Sequence, residues 1–286
     1  CNSRASQSRR ITLIVANSLL SWGRAHRYSH DIYKLRPDAE PFEAVPEGSH
    51  FIAYGMGRSY GDTNLTDGDA LLVTTGADRI VSADWSKGVI RAQAGLTLDS
   101  LLQICVPKGW FLPVTPGSKF VTLGGAVAND VHGKNHHISG SFGAYVKALC
   151  LKRSDKPDPI ICTPKKNRKL FFATIGGLGL TGIIQWIEIS LKPIGSAFLN
   201  VENIPFSSLN GFFELTAQSQ SWEYNVAWVD CFAKGRKLGR GIFSRANFKD
   251  DGALLAHNGD QKLDWKIQTP RWFLNKFTIK QFNRLY

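Results

Sequence analysis

One stretch limits what this chain can fold into more than any other: Pro116–Gly143, PGSKFVTLGGAVANDVHGKNHHISGSFG. Its 28 residues hold six glycines, three histidines and two lysines, and few bulky aliphatic side chains. Such a segment buries too little apolar surface to serve as core. A linker, in turn, would not space Val121, Leu123, Val127 and Val131 between its glycines. Small, turning and still partly apolar backbone suits close approach to a ligand. The stretch is therefore expected to wall a cofactor site. Thr122 is placed to cap a short helix of small residues whose N-terminal N–H groups and dipole would suit a pyrophosphate.

The rest of the chain supplies ordinary globular material. It has 286 residues, 43% hydrophobic and 20% charged, which fits about two domains. No apolar run reaches the length of a membrane span. Ile11–Leu20 follows two arginines but lacks a cleavage site for a secretory signal. The only Met is Met56, so the expected chain is a fragment beginning at Cys1, with a lipidated Cys1 as the alternative. The five cysteines show no CxxC spacing, which argues against a disulfide framework or zinc; Cys105, Cys150 and Cys162 lie in apolar runs and read as buried thiols. A net charge of +12 permits anionic partners without choosing among them, and no nucleic-acid motif accompanies it.

Phe51–Tyr54 reads as a strand leading into Gly55–Asp62 (GMGRSYGD), a tight loop whose N–H groups can form an anion nest, with Arg58 adding charge. Leu71–Thr75, Arg79–Ala83 and Val89–Ala94 read as strands. Thr97 caps a helix bearing Leu98, Leu101, Leu102 and Cys105 on one face, and Trp110–Val114 returns as a strand. His132 and His136 have helical metal-ligand spacing, but Gly133 argues against a continuous helix and no metal is expected. Tyr145–Arg153 and Pro159–Cys162 pair as strands, and Pro164–Ala173 reads as a basic helix. Gly177, Gly179 and Gly182 match GxGxxG literally. A dinucleotide fold needs a strand before that motif and a helix after it, whereas here a helix precedes and the alternating strand Ile183–Leu191 follows. The motif is read as no Rossmann site, though its glycines remain free to touch a cofactor. Beyond Pro193–Ser196 the order is strand Phe198–Glu202, helix Ser207–Gln218, strand Glu223–Phe232, then a polar loop over Asp251–Gln268. The tail Arg271–Tyr286 (RWFLNKFTIKQFNRLY) is basic and aromatic with no acid; it fits either a helix packed on its aromatic side or a membrane-surface contact.

SWGR (Ser21–Arg24), GMGRSYGD, Pro116–Gly143, GGLGLTGII (Gly176–Ile184), AWVD (Ala227–Asp230) and KLGR (Lys237–Arg240) together resemble the flavin-dependent oxidases of the vanillyl-alcohol-oxidase type. The resemblance implies an α+β architecture: a two-subdomain PCMH-type FAD-binding fold over residues 1–195, then the start of an α+β substrate (cap) domain over 196–286, incomplete at its C-terminus. It implies FAD as cofactor, wrapped at its diphosphate by Ala53, Tyr54, Gly55, Met56, Gly57, Arg58, Ser59, Tyr60, Gly61, Asp62 and Thr63. Gly117, Thr122, Leu123, Gly124 and Gly125 continue that contact; Asn129, Asp130, Val131, His132 and Ile184 meet the flavin. His132 and Lys134 would face substrate as the catalytic-side residues, and Tyr60 and Trp228 would wall its pocket. Related sugar and aldonolactone oxidases attach flavin covalently to a histidine where this chain has Arg58, so the FAD is expected to be non-covalent. The catalytic lysine of the family would lie in a C-terminal part beyond Tyr286.

The implied reaction is oxidation of a secondary alcohol on a polyprenyl-phosphoryl pentose at the 2′ position, the first half of an epimerisation in cell wall biosynthesis. Alternatives are an alditol or aldonolactone oxidase and a flavin-binding fragment without catalysis of its own. Implied partners are a lipid-linked or phosphorylated sugar, a short-chain reductase and a membrane surface, with no nucleic acid. The implied location is the cytoplasm or the periphery of the inner membrane, with its periplasmic side left open.

Overall fold

The computed structural model describes residues 19–255 and 270–285. Cys1, most of Ile11–Leu20, most of the polar stretch Asp251–Gln268 and Tyr286 lie outside the described residues. Backbone contacts divide the chain into two units: Cys1–Gly133 with Gly140–Pro193, and Lys134–Ser139 with Ile194–Tyr286.

The first unit contains a three-stranded sheet, a five-stranded sheet and a two-stranded pair. β1 (Asp31–Lys34), β2 (Phe51–Tyr54) and β3 (Ala70–Val73) run parallel with β3 between its neighbours. Central parallel strands are covered on both faces and read as continuous apolar runs. β3 is ALLV, with Leu71 and Leu72 fully buried. The second sheet is antiparallel and five-stranded. It is built from β4 (Ile80–Asp84), β5 (Val89–Gln93), β7 (Val146–Lys152), β8 (Ile160–Cys162) and β9 (Ile183–Ser190), in the order β4-β5-β9-β7-β8. Along β9 the side chains alternate. Ile187 and Ile189 enter the core, while on the other face Arg91 bonds Glu188 at 2.6 Å and lies 4.3 Å over the Trp186 ring.

Thr97 caps α1 (Leu98–Cys105) by accepting from Ser100 N at 3.1 Å. The helix then buries Leu98, Leu101 and Cys105 in the main core, each leucine contributing about 2 kcal/mol. Burial pushes the Cys105 thiol up to about 12 and the Cys150 thiol up to about 11, so both behave as inert apolar groups. The strand expected over Trp110–Val114 is only β6 (Trp110–Phe111), paired with β10 (Lys192–Pro193); Pro113 has no N–H with which to extend the ladder. α2 (Leu123–Ala128) buries Leu123, Ala126 and Val127 in the same core. α3 spans Arg168–Thr174, starting later than Pro164 because Thr163 Oγ1 accepts from Lys165 N and Lys166 N and Asn167 turns left-handed at φ 52°.

In the second unit β11 (Leu199–Phe206) and β12 (Tyr224–Val229) flank β13 (Gly241–Phe248), all antiparallel. The sequence does not announce β13. GIFSRANF interrupts its apolar alternation with Ser244, Arg245 and Asn247, and Arg245 is held by Glu202 on β11 at 2.8 Å. α4 (Leu209–Gln218) is capped by Ser208, and a single helical turn covers His136–Ser139. α5 (Lys276–Leu285) docks through a polar cluster: Asn283 Nδ2 donates to Asp230 Oδ1 at 2.7 Å, and Arg240 donates to Asp230 Oδ2 and to the Asn283 carbonyl. Burial would raise the Asp230 carboxyl, but its bonds to Arg240, Asn283 and Phe232 N outweigh that and hold it below the usual carboxylate range.

Candidate flavin site

The first unit holds a cavity of about 610 Å³, within the range of cofactor and ligand pockets. The parallel sheet delivers its first wall. β2 ends at Tyr54, whose hydroxyl donates to Leu20 O at 2.7 Å; burial raises its pKa, so it stays a donor. The chain then turns through Gly55–Gly61 along the cavity. Gly55 is forced by close approach, since a Cβ there would lie 2.7 Å from Thr122 Oγ1 on the opposite wall. Gly57 has φ 63°, and a Cβ would collide with Tyr54 Oη and Leu20 O. Among the described residues, none of the backbone N–H groups from Met56 to Asn64 donates to a backbone carbonyl. This row of amides along the cavity suits the oxygens of a diphosphate.

Arg58 is the one charged residue lining the cavity among those described. Its Nε donates to Phe120 O at 3.2 Å and its guanidinium lies 5.3 Å over the Trp22 ring. That places a fixed cation on the wall shared with the amides. Asn64 also lines the cavity, and its Nδ2 and Oδ1 are buried without a partner among the described residues. An orphaned amide is costly unless a bound group satisfies it. The cavity volume, the open amides, Arg58 and Asn64 all fit FAD.

The second wall is α2, and here one expectation is corrected. The N-terminus of α2 has no N–H groups left for a pyrophosphate. Leu123 N donates to Leu96 O and Gly124 N to Ala94 O, both at 2.8 Å, and Gly125 N donates to Thr122 Oγ1 at 3.1 Å. Each amide carries one proton. Gly124 and Gly125 therefore meet the cavity as surface rather than as donors; Thr122 and Gly117 also line it, while Leu123 is fully buried in the core. Ala53, Met56, Ser59, Tyr60, Gly61 and Thr63 line the cavity as expected from their loop, as do Asn129, Val131 and Ile184.

Four other expected contacts, Tyr54, Asp62, Asp130 and His132, lie outside the lining. Tyr54 supports the loop from beneath. Asp62 accepts from Tyr28 Oη at 3.2 Å. Asp130, at φ 41°, accepts from Ser141 Oγ at 2.8 Å and Gly143 N at 2.7 Å, so its carboxylate braces the loop. His132 follows, exposed, with its backbone bridged to Ser141. Sequence reasoning missed Trp22 and Asn64. It left open the Gly176–Gly182 loop, from which Leu178, Gly179 and Gly182 line the cavity. α3 precedes that loop and β9 follows it, so the GxGxxG there is no dinucleotide turn.

The candidate substrate-side residues fall in both units. Tyr60 belongs to the first and is 85% exposed. Lys134 and Trp228 belong to the second; Lys134 is exposed and its carbonyl accepts from Asn225 N at 2.9 Å. His132 and His136 do not share a helix, because the helical turn begins only at His136. His137 Nε2 lies 2.9 Å from Trp222 O. Among the described residues no group of three or more His, Cys, Asp or Glu side chains is placed to hold a metal ion.

The fold and this cavity define a flavoprotein that binds FAD. Residues 43–152 match the model of the FAD binding domain. It is 33% identical over 283 residues to the decaprenylphosphoryl-beta-D-ribose oxidase of Mycolicibacterium smegmatis, covering 94% of this chain and 62% of that protein. It is also 26% identical to the D-lactate dehydrogenase of Anaerostipes hadrus, over 50% of this chain and 30% of the relative. With the human Delta(24)-sterol reductase the identity is 28%, over 40% of this chain and 22% of the relative. The chain thus spans less than two thirds of the length of these relatives.

Proposed function

We propose that this chain forms the FAD-binding part, and the beginning of the substrate domain, of an enzyme that oxidises the 2′ secondary alcohol of a polyprenyl-phosphoryl pentose. The observation that carries this is the extent of the likeness. It runs through 94% of the chain for the relative named for decaprenylphosphoryl ribose, against 50% and 40% for those named for lactate and sterol. Bound FAD supplies the hydride acceptor. The amides after Gly55, with Arg58, hold the diphosphate. Lys134 pairs with the substrate phosphate through its exposed ammonium, and His132 orients the alcohol. The proton acceptor is assigned to neither residue.

Anaerobic mixing of the intact protein with a polyprenyl-phosphoryl pentose is expected to bleach the flavin band. Lys134→Ala should keep its FAD and raise the substrate concentration needed for half-reduction about tenfold, the equivalent of about 1.4 kcal/mol. No bleaching in the wild type would leave a flavin-binding module without this activity and would overturn the assignment.

Arg58 occupies the loop position at which sugar oxidases of the covalent kind carry histidine, and its guanidinium is already engaged by Phe120 O and Trp22. Acid precipitation should therefore release all the flavin to the supernatant. A yellow pellet would favour an alditol or aldonolactone oxidase instead.

A further inference from the structure

The loop after α3 carries a leucine in a conformation that leucine resists. Gly176, Gly179 and Gly182 are left-handed at φ 70°, 81° and 136°, and so is Leu178 at φ 54°. Leu180 N donates to Gly177 O at 3.0 Å, so Leu178 and Gly179 are the central pair of a tight turn with both residues at positive φ. Asn-Gly is the pair that such a turn favours. Among the described residues Arg24, Asp130 and Asn167 also have positive φ without being glycine; Asp and Asn tolerate it, and none of the three lines the cavity. Leu178 does line it, and at 46% exposure the protein's own packing leaves nearly half of the residue uncovered. The turn is held in place. Gly176 N donates to Val127 O at 3.0 Å and Leu178 N to Ala128 O at 2.8 Å, which fixes the leucine against the C-terminal end of α2.

A costly backbone conformation and an uncovered apolar side chain are two penalties at one residue, and they coincide at the wall of the cofactor cavity. We propose that Leu178 is the apolar seat of a planar ring of bound FAD, and that its contact with the ring offsets the cost of the left-handed turn. A leucine kept for stability alone would be buried, as Leu123 is in α2. Asparagine at this position would suit the turn better and would give up the contact. The inference is independent of the sugar substrate, because holding and releasing the cofactor involves no turnover.

Release of flavin from the intact holoprotein, followed by fluorescence after dilution, tests it. Leu178→Asn is expected to release FAD about tenfold faster than the wild type, while its apoprotein unfolds about 3 °C higher. Leu178→Ala keeps the backbone penalty and loses the contact, so it should release FAD as fast with no gain in midpoint. Leu178→Met keeps an apolar contact and should release at the wild-type rate. ADP locates the ring: a dissociation constant raised in Leu178→Asn puts adenine on the leucine, and an unchanged one puts the flavin there. The proposal is overturned if the asparagine and alanine variants both hold FAD as the wild type does. It is equally overturned if Leu178→Asn lowers the apoprotein midpoint, because the side chain would then be packed against protein instead. If removing the flavin unfolds the protein, the release rates decide alone.

Discussion

Gly125→Val is expected to yield a folded protein that purifies without flavin. Gly125 sits inside α2 at the cavity wall, and a Cβ there would meet a single atom within 4 Å, Thr122 Oγ1 at 3.0 Å. A shift of a few tenths of an ångström in the Thr122 rotamer accommodates it. Valine is also a somewhat better helix former than glycine, so the backbone gains slightly. The cost falls on the cofactor, because the two methyl groups take up space FAD requires. Overlap of this kind costs about 3 kcal/mol, or about a hundredfold in affinity. The contrast with Gly57 is instructive. There the backbone is left-handed and a Cβ collides with Tyr54 Oη and Leu20 O, so substitution breaks the loop itself and says little about the ligand. Flavin absorbance per mole of protein, together with thermal unfolding of the apoprotein, separates the two outcomes. Stoichiometric flavin in Gly125→Val would show that α2 is not the cofactor wall.

What could be read from the sequence was local, and what could not was long-range. Thr97 and Thr122 announce their helices because a cap acts within three residues, and both accept the bonds expected of them. The GxGxxG of Gly177–Gly182 could be set aside because its flanking periodicities are local too. The state of the α2 amides could not be foreseen. Leu123 N and Gly124 N are consumed by the carbonyls of Leu96 and Ala94, which lie 27 and 30 residues earlier, and no pattern near Thr122 reveals that. The helix that looks like an anion site is already satisfied, and the amides that remain open belong to the Gly55 loop. Asn64 shows the same limit from the other side. One asparagine among several polar loop residues carries no signal until burial leaves its amide unpartnered at the cavity. β13 escaped notice because Arg245 interrupts its alternation, and its partner Glu202 lies on another strand.

Asp130 offers the sharpest test of that distinction, because sequence and structure give it different work. Read from the motif, it touches flavin. In the structure its carboxylate points to Ser141 Oγ and Gly143 N, pinning the turn after α2 to the segment that inserts the buried Phe142 into the core. Gly143 is required for this, since a Cβ there would lie 2.8 Å from Asp130 Oδ1. Asp130→Ala removes two charge-assisted bonds and leaves an alanine at φ 41°, where aspartate is tolerated better. The expected loss of stability is about 3 kcal/mol, read as a lower denaturant midpoint with an unchanged slope. Asp130→Asn keeps the shape and one acceptor and should lose about half as much. Ser141→Ala in the Asp130→Ala background should cost almost nothing further, because the two residues share one bond. A brace of this kind predicts altered stability with an unaltered flavin spectrum when the asparagine variant is saturated with FAD. Direct contact with the flavin predicts the reverse, a shifted spectrum at unchanged stability, so one protein preparation and two measurements decide which role Asp130 has.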